Sequence, residues 1–405
     1  MKSIKRLTES IVAASLLLAV AVAGNSVARL PEEISVSKSS GANFADIPYV
    51  SITADGTETA PCSSGAACYD ADVRLLGFIT VGKINVKPVA DKRVILSGRP
   101  FGVKFQTDGA FVIAEEKVNG KRGPAVKAGI KTGDVIKAVN GIDVKDASML
   151  TEQINTCKGK TLEITVQRDE KCFSLSVRPE YDTLESTYKL GVWVRDNTAG
   201  IGIMTYIDPE SGCFAGLGHP ICDDTCGEVM PVGSGSISDV CLTGVRRGVS
   251  GSPGELSGFL CDDCIGTLKA NCETGVYGIY DMPYTDGETI RAAMKQEVKE
   301  GDAKLLTTLP GKNEPTYYDI SIEKIYYDDL APTRNMVIKV RDKRLLDTAG
   351  GIVQGMSGSP IVQNGIFVGA VTHVFVNDPT KGYAIFAENM LDSTRYVSDT
   401  TNDLT

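Results

Sequence analysis

Gly355-Met356-Ser357-Gly358-Ser359-Pro360 sets one hydroxyl between two glycines and closes the turn with Ser-Pro. A serine presented this way has the makings of a nucleophile for acyl transfer. Such a hydroxyl must stand on a tight turn, with backbone N–H groups aimed at the oxyanion that develops on the attacked carbonyl. Glycine at 355 and 358 permits backbone angles and close approaches that a side chain would block. The N–H groups of Gly355 and Ser357 are the expected oxyanion donors. The hydroxyl also needs a general base, normally an imidazole within hydrogen-bond reach. The chain has two histidines, His219 and His373, so a histidine-activated Ser357 must use one of them.

His219 lies in Gly216-Leu217-Gly218-His219-Pro220, a glycine-flanked turn from which a ring can project into a cleft. His373 lies in Val371-Thr372-His373-Val374-Phe375, an apolar alternating strand on which a histidine more often packs than reacts. The expectation is therefore His219 as base. A buried carboxylate should hold the imidazole in the correct tautomer. Asp342, just beyond a strand ending at Val340, is one candidate; Asp347, Asp223 and Asp224 are the others, and spacing does not choose among them. Gly248-Val249-Ser250-Gly251-Ser252-Pro253 nearly repeats the nucleophile motif. It runs into another turn, whereas Ser357 is followed by Ile361-Val362, an Asn364-Gly365 hairpin turn and a strand from Ile366 to Ala370. The second context suits a barrel-type serine peptidase.

The elements that must hold these groups fall into five stretches. Residues 1–28 carry Lys2, Lys5 and Arg6 before an apolar run from Ile11 to Ala23, the pattern of a signal peptide or membrane anchor. Residues 29–90 form an N-terminal region with strands between Val73 and Val86. In 91–182, a strand at Phe101–Phe105 precedes Gly123-Pro124-Ala125 and Ala128-Gly129-Ile130-Lys131-Thr132-Gly133-Asp134, with an Asn140-Gly141 hairpin and a helix over Ser148–Cys157. This block resembles the PDZ family. The resemblance implies an α/β domain that takes a peptide strand on a sheet edge, with the peptide carboxylate held by a loop at Pro100, Phe101, Gly102 and Val103. Residues 183–395 hold many short alternating strands, including Leu190–Val194, Gly200–Tyr206, Gly275–Tyr280, Tyr317–Ile325, Met336–Val340 and Ile366–Phe375, the spacing of a β-sandwich or barrel. A helix is expected over Gly287–Glu300, with Ile290, Met294 and Val298 on one stripe. Residues 396–405 are a polar tail. The fold expected is mainly β: a trypsin-like double β-barrel behind an α/β PDZ domain and an N-terminal signal or anchor segment.

At 405 residues there is length for two or three cores. A net charge of −9 argues against a nucleic-acid role, and no basic stripe contradicts that. Eleven cysteines leave at least one outside any intramolecular pairing. Cys261-Asp262-Asp263-Cys264 and Cys222-Asp223-Asp224-Thr225-Cys226 read as a zinc or redox site, or as local disulfides and free thiols. The second motif lies just after His219, but no second well-spaced CxxC or histidine supports zinc, so no metal and no cofactor are expected. Cys62 and Cys68 bracket a small-residue loop and read as a simple loop disulfide or as nothing.

Leu30-Pro31-Glu32-Glu33-Ile34, the PDZ block, Gly216-Leu217-Gly218-His219, Pro253-Gly254-Glu255-Leu256 and Glu297-Val298-Lys299-Glu300-Gly301 are segments that carry a resemblance. With them stand Gly350-Gly351-Ile352-Val353-Gln354-Gly355-Met356-Ser357-Gly358-Ser359-Pro360 and Gly369-Ala370-Val371-Thr372-His373-Val374-Phe375-Val376-Asn377-Asp378-Pro379. Together they resemble the stage IV sporulation protein B family of serine peptidases over nearly the whole chain past the leader. The resemblance implies a triad of His219, Asp342 and Ser357, and no catalytic part for Ser250. It also implies export into the space between the two forespore membranes. There the enzyme would cleave itself and a membrane-bound regulator of an intramembrane protease, leading to late sigma-factor activation. The cysteine-rich stretches at 222–226 and 261–272 depart from the family pattern. The rival from another class is a non-catalytic PDZ adaptor on a peptidase-like scaffold.

Overall fold

The computed structural model describes residues 30–47, 50–61, 67–284, 287–312, 314–327, 331–394 and 397, with backbone alone over 54–61 and at 67. The leader and nearly all of the tail lie outside them. Among the described residues no helix is long and apolar enough to cross a membrane.

Strands β1 (Glu33–Val36), β2 (Val50–Pro61), β3 (Ala67–Leu75) and β4 (Ile79–Pro88) form a sheet of order β1-β4-β3-β2. Its inward residues Ile34, Val73, Ile84 and Val86 are buried in one core with Leu305, Ile320 and Ile338. Strand β5 (Arg93–Leu96) then leads to β6 (Pro100–Glu115), a strand of 16 residues that belongs to two bodies. Beyond it come β7 (Lys117–Val118), β8 (Lys121–Arg122), α1 (Pro124–Ala128), β9 (Val135–Val139), β10 (Ile142–Asp143), α2 (Ala147–Thr156), β11 (Leu162–Arg168) and β12 (Lys171–Val177). Proline opens α1 and Gly129, at φ +105°, ends it. Asp146 caps α2 by accepting from the Met149 N–H at 2.8 Å, and Leu150 and Ile154 turn inward. They meet Ile136, Ile164 and Val166 in a core of their own. Buried Asp134 is held by Arg168 at 2.7 Å.

After the small hairpin β13 (Glu180–Asp182) and β14 (Thr187–Lys189), strand β15 (Val192–Ile207) returns along β6. It is followed by β16 (Cys213–Gly216), β17 (Ser234–Arg246), β18 (Glu255–Cys272) and β19 (Gly275–Tyr280). The pairings run β6-β17-β18-β19-β16-β15, and β15 pairs with β6 to close a six-stranded ring. Phe101, Val103, Phe105, Phe214, Ile237 and Leu268 fill it. A second closed barrel, β21-β22-β23-β26-β25-β24, is made from β21 (Gly301–Thr307), β22 (Thr316–Ile325), β23 (Met336–Val340), β24 (Pro360–Gln363), β25 (Ile366–Val374) and β26 (Lys381–Phe386). Helix α3 (Lys343–Ala349) follows β23, and α4 (Ala387–Asp392) follows β26. Tyr206 and Tyr277 of the first barrel bury against Phe367 and Ile385 of the second.

One expectation changes here. The helix over Gly287–Glu300 is instead strand β20 (Thr289–Arg291), paired with β5, and a single 3-10 turn at Lys295–Glu297. Edge pairing with β5 takes the backbone of Ile290, and Glu297 reaches back to the Met294 N–H and to Arg291. The apolar stripe is still used, since Met294 and Val298 are buried. The PDZ block shares a strand with the first barrel. β6 pairs with β9 at one end and with β17 at the other, so the module is threaded between the first two strands of a barrel.

Candidate active site

In the first barrel the turn after the third strand, β16, carries His219; in the second, the turn before the fourth strand, β24, carries Ser357. The barrels thus bring equivalent corners together. They enclose a cleft of about 600 Å³ whose lining includes Ser357, His219, His373, Thr372, Gly355 and Pro253. The Ser357 turn is pinned from the first barrel. The Ile203 N–H donates to the Ser357 carbonyl at 2.9 Å, and the Thr205 hydroxyl to the Gly358 carbonyl at 2.8 Å. Gly358 has φ +92°, and a Cβ there would lie 2.0 Å from the Ile203 oxygen, so no other residue fits.

The turn leaves donors unspent. The Met356 N–H is taken by the Val353 carbonyl. Among the described residues, the N–H groups of Gly355 and Ser357 find no partner within the protein. Gly355 reaches the required φ of +90°. Two free donors at the mouth of a cleft are what an oxyanion demands.

His219 is held by its own loop. Leu217 stands at φ +67°, a strained value for leucine, and its neighbour Gly218 closes on the Gly216 carbonyl at 2.8 Å. Asn271 braces the following segment through the Ile221 N–H and carbonyl. The His219 Nδ1 lies 2.8 Å from the Pro220 carbonyl. A carbonyl only accepts, so Nδ1 carries the proton and Nε2 keeps its lone pair, the tautomer a base needs. Burial lowers the His219 pKa from its ordinary value, opposed by that carbonyl bond. The imidazole is therefore neutral at neutral pH.

His373 reaches the same cleft, which its apolar strand setting does not announce. The register of β25 against β26 slips between Val371 and His373, a bulge centred on Thr372. Bulges re-aim side chains and free backbone groups from the ladder. The Thr372 carbonyl is freed into the cleft and accepts from the Ser357 hydroxyl at 2.8 Å. The ring of His373 comes 4.9 Å, centroid to centroid, from that of His219, tilted by 36°. Burial first, then His219 and Arg334, lower the His373 pKa to about 4.

Asp342 is not brought to either imidazole. It is the N-cap of α3, and both oxygens are spent. Oδ1 accepts from the Arg344 N–H and Nε, at 2.9 and 3.0 Å, and Oδ2 from Arg344 Nη2 and the Asp319 N–H, at 2.7 and 3.2 Å. The Arg344 guanidinium draws the Asp342 pKa down to about 2 against the cost of burial. Of the rivals, Asp347 pairs with Lys343, Asp223 with Arg195, and Asp224 lies in the cleft lining without bonding a histidine.

The PDZ loop expectation is corrected. Pro100, Phe101, Gly102 and Val103 are not a loop but the first residues of β6. They pair with Gly200–Ile203 on one side, and Phe101–Val103 pair with Ile237–Asp239 on the other. Both edges are occupied by the chain itself and Phe101 is wholly buried, so no peptide strand can add there. Ser250 is not among the residues lining the cleft, and its hydroxyl donates to the Asn377 carbonyl. Its turn still matters. The Gln354 N–H donates to the Gly254 carbonyl and the Leu256 N–H to the Gln354 carbonyl, which props the Ser357 turn from behind.

Among the described residues, no group of three or more His, Cys, Asp or Glu could hold a metal ion. Cys68 is disulfide-bonded, Cys62 lies outside the described residues, and nine cysteines are free thiols.

With the site laid out, comparison with known proteins gives two family matches. The PDZ domain model matches residues 101–178, and the SpoIVB peptidase S55 model residues 186–391, just over half of the chain. A putative zinc metalloprotease LL2128 of Lactococcus lactis is 39% identical over 96 residues, which are 24% of this chain and 21% of that protein. A probable periplasmic serine endoprotease DegP-like of Brucella suis is 46% identical over 110 residues, 22% of this chain and 21% of that protein. The chain thus spans about a fifth of the length of the curated relatives it matches. Among solved structures, the active form of the Rv3671c protease from M. tuberculosis aligns with a TM-score of 0.31 at 17% identity, over 49% of this chain and 74% of that one. The PDZ domain of an SdrC-like protein from Listeria monocytogenes aligns at 0.19 and 20% identity, over 22% of this chain and 87% of that one. A mainly β chain with two closed barrels, a PDZ domain and a Gly-Met-Ser-Gly turn facing a histidine belongs to the SpoIVB peptidase S55 family.

Proposed function

We propose that this chain is an exported serine endopeptidase of endospore formation. The observation that carries the reading is that two barrels deliver Ser357 and His219 from equivalent corners into one cleft. The Ser357 oxygen attacks the scissile carbonyl and its proton passes to His219 Nε2. The carbonyl oxygen, now negative, is received by the N–H groups of Gly355 and Ser357. Collapse of the tetrahedral intermediate breaks the C–N bond as Nε2 returns the proton to the leaving amine. Water, activated by the same imidazole, then releases the acyl group. To begin, the hydroxyl must turn away from the Thr372 carbonyl, which cannot act as a base.

The family resemblance counts Asp342 as the third member of the triad. Its hydrogen bonds give it a positioning part instead: it caps α3, whose far end runs through Gly350 into the Ser357 turn. By the same resemblance, the natural substrates are the chain itself and a membrane-associated regulatory protein, met in the forespore intermembrane space. That cleavage would lead to late sigma-factor activation. An uncleaved N-terminus would keep the enzyme at the membrane. The PDZ domain would engage the peptide or protein substrate by a surface other than Pro100–Val103.

The test is to follow the full chain and its Ser357→Ala variant by mass spectrometry. Self-cleavage in the first and not in the second is expected; equal cleavage would sink the reading. The bond from Ser357 to Thr372 rather than to an imidazole favours the one alternative, a non-catalytic PDZ adaptor. An adaptor would leave Ser357 unlabelled by a fluorophosphonate probe.

A further inference from the structure

The hairpin of β3 and β4 ends in a tip that goes against two tendencies at once. Its turn residues Leu76 and Gly77 stand at φ +53° and +80°, and the Phe78 N–H closes on the Leu75 carbonyl at 3.2 Å. Left-handed backbone of this kind favours Asn-Gly or Asp-Gly, yet a leucine is kept there. The second tendency concerns burial. Leu76 is 51% exposed, Phe78 74%, Ile79 44% and Val81 36%. Among the described residues, no other run of six exposes more than two large apolar side chains. Single exposed apolar residues are ordinary, but a contiguous set marks a surface that meets something apolar. The base of the hairpin is firmly held, since Val73 and Ile84 are buried in the core with Leu305 and Ile320.

The surrounding chain indicates what the tip meets. From Val73 to Ile84 the only charged residues are Arg74 and Lys83, both basic; Arg74 also pairs with Asp72 at 3.2 Å. Strand β1 runs parallel to β4, with Glu33 beside Asn85 and Val36 beside Pro88. Traced toward the N-terminus, the chain therefore leaves β1 in the direction in which β4 traces back to the tip. By that register Leu30 is level with Gly82, and Phe78 lies four residues farther on, about 13 Å. Residues 24–29 separate Leu30 from the apolar run Ile11–Ala23, and fully extended they reach about 20 Å. The apolar run and the hairpin tip can thus meet one plane.

We propose that Leu76, Phe78, Ile79 and Val81 form a membrane-contacting tip, which enters the boundary between lipid headgroups and acyl chains. The inference rests on the membrane-associated reading of the N-terminus and not on the peptidase chemistry. The apolar side chains sink into the boundary, while Arg74 and Lys83, set back on the two strands, meet the lipid phosphates. The strands themselves stay outside, where their backbone pairing is undisturbed. A leader alone would let the enzyme swing on a tether. A second contact on a firmly based hairpin fixes which way the molecule faces the bilayer.

The experiment uses the full chain with Ser357→Ala, so that self-cleavage removes nothing. Phe78→Trp and Trp193→Phe together move the one tryptophan to the tip. The protein is added to vesicles of phosphatidylcholine and phosphatidylglycerol in equal parts. We expect the emission to shift to the blue, and to fall by about half or more when the acyl chains are brominated. Iodide in the buffer should quench it less than before the vesicles were added. Bound protein whose indole ignores brominated lipid and stays open to iodide would overturn the proposal. So would a tip shielded without vesicles in proportion to protein concentration, which would assign it to a second copy of the chain. Should the variant not fold, hydrogen exchange of the parent decides: the amides of Leu76–Val81 must slow on vesicles, and unchanged exchange would overturn the proposal equally. A full chain that does not sediment with the vesicles removes the membrane reading, and this inference with it. A chain that sediments with its tip still open to water removes this inference alone.

Discussion

The chemistry at residue scale turns on which group each polar atom has chosen. Asp342 chose Arg344, which lies two residues on in the sequence. With the Asp342 pKa drawn to about 2, the carboxylate adds stability that is whole above pH 4 and is lost as the pH falls toward 2. Asp342→Asn should cost about 1–2 kcal/mol at pH 7 in urea unfolding, and the difference from the parent should vanish near pH 2. His373 runs by the same sign rule from a higher start. Its pKa falls from 6.5 to about 4, so its contribution is intact above pH 6.5 and declines as the pH drops from there to 4. Unfolding free energies at pH 7 and pH 5 should therefore differ less in His373→Phe than in the parent. A steeper slope in the variant would contradict the assignment. Ser357 and His219 were legible from their flanking glycines, because turns that present a side chain leave a local signature. The fate of Asp342 was not, since which guanidinium or N–H claims a carboxylate depends on how α3 leaves β23.

For the elements, partners distant in sequence decided what short patterns could not. Pro100–Val103 read as a loop because Pro and Gly sit there; β15 and β17, about a hundred residues away or more, make it strand. The apolar stripe at 287–300 has helical spacing, yet pairing with β5 wins. The hairpin of β17 and β18 carries a feature with its own consequence. Cys241 pairs with Phe259, so Cys261 is its diagonal neighbour on the same face, and the two sulfurs lie 3.5 Å apart. Oxidation by a disulfide donor such as oxidised glutathione should join them first, each thiol giving up its proton as the donor is reduced to two thiols. A cross-linked peptide found by non-reducing mass spectrometry would bear this out; preferential linkage of other cysteines would not. At the junction of the barrels, Gly358→Ala should abolish labelling of Ser357, because the added carbon would meet the Ile203 oxygen at 2.0 Å. Labelling at the parent's rate would show that the turn need not be so close to β15.

Across the whole molecule, the PDZ domain and the first barrel share β6 and β15. Shared strands predict shared unfolding: calorimetry of the full chain should give one transition for these two bodies, and an excised 101–178 fragment should not fold. Two separate transitions would mean that the long strands are only loosely common property. The same two strands have a mechanical meaning. Each has 16 residues, so it extends about 50 Å. Val103, near the start of β6, and Gly200, midway along β15, form part of the cleft wall; Phe111–Glu115 at the far end of β6 and Val192–Arg195 at the start of β15 lie alongside the PDZ core. A pull on the PDZ domain by a tethered or membrane-held protein therefore has no slack linker to take up. It arrives as tension in the wall against which a scissile peptide must lie.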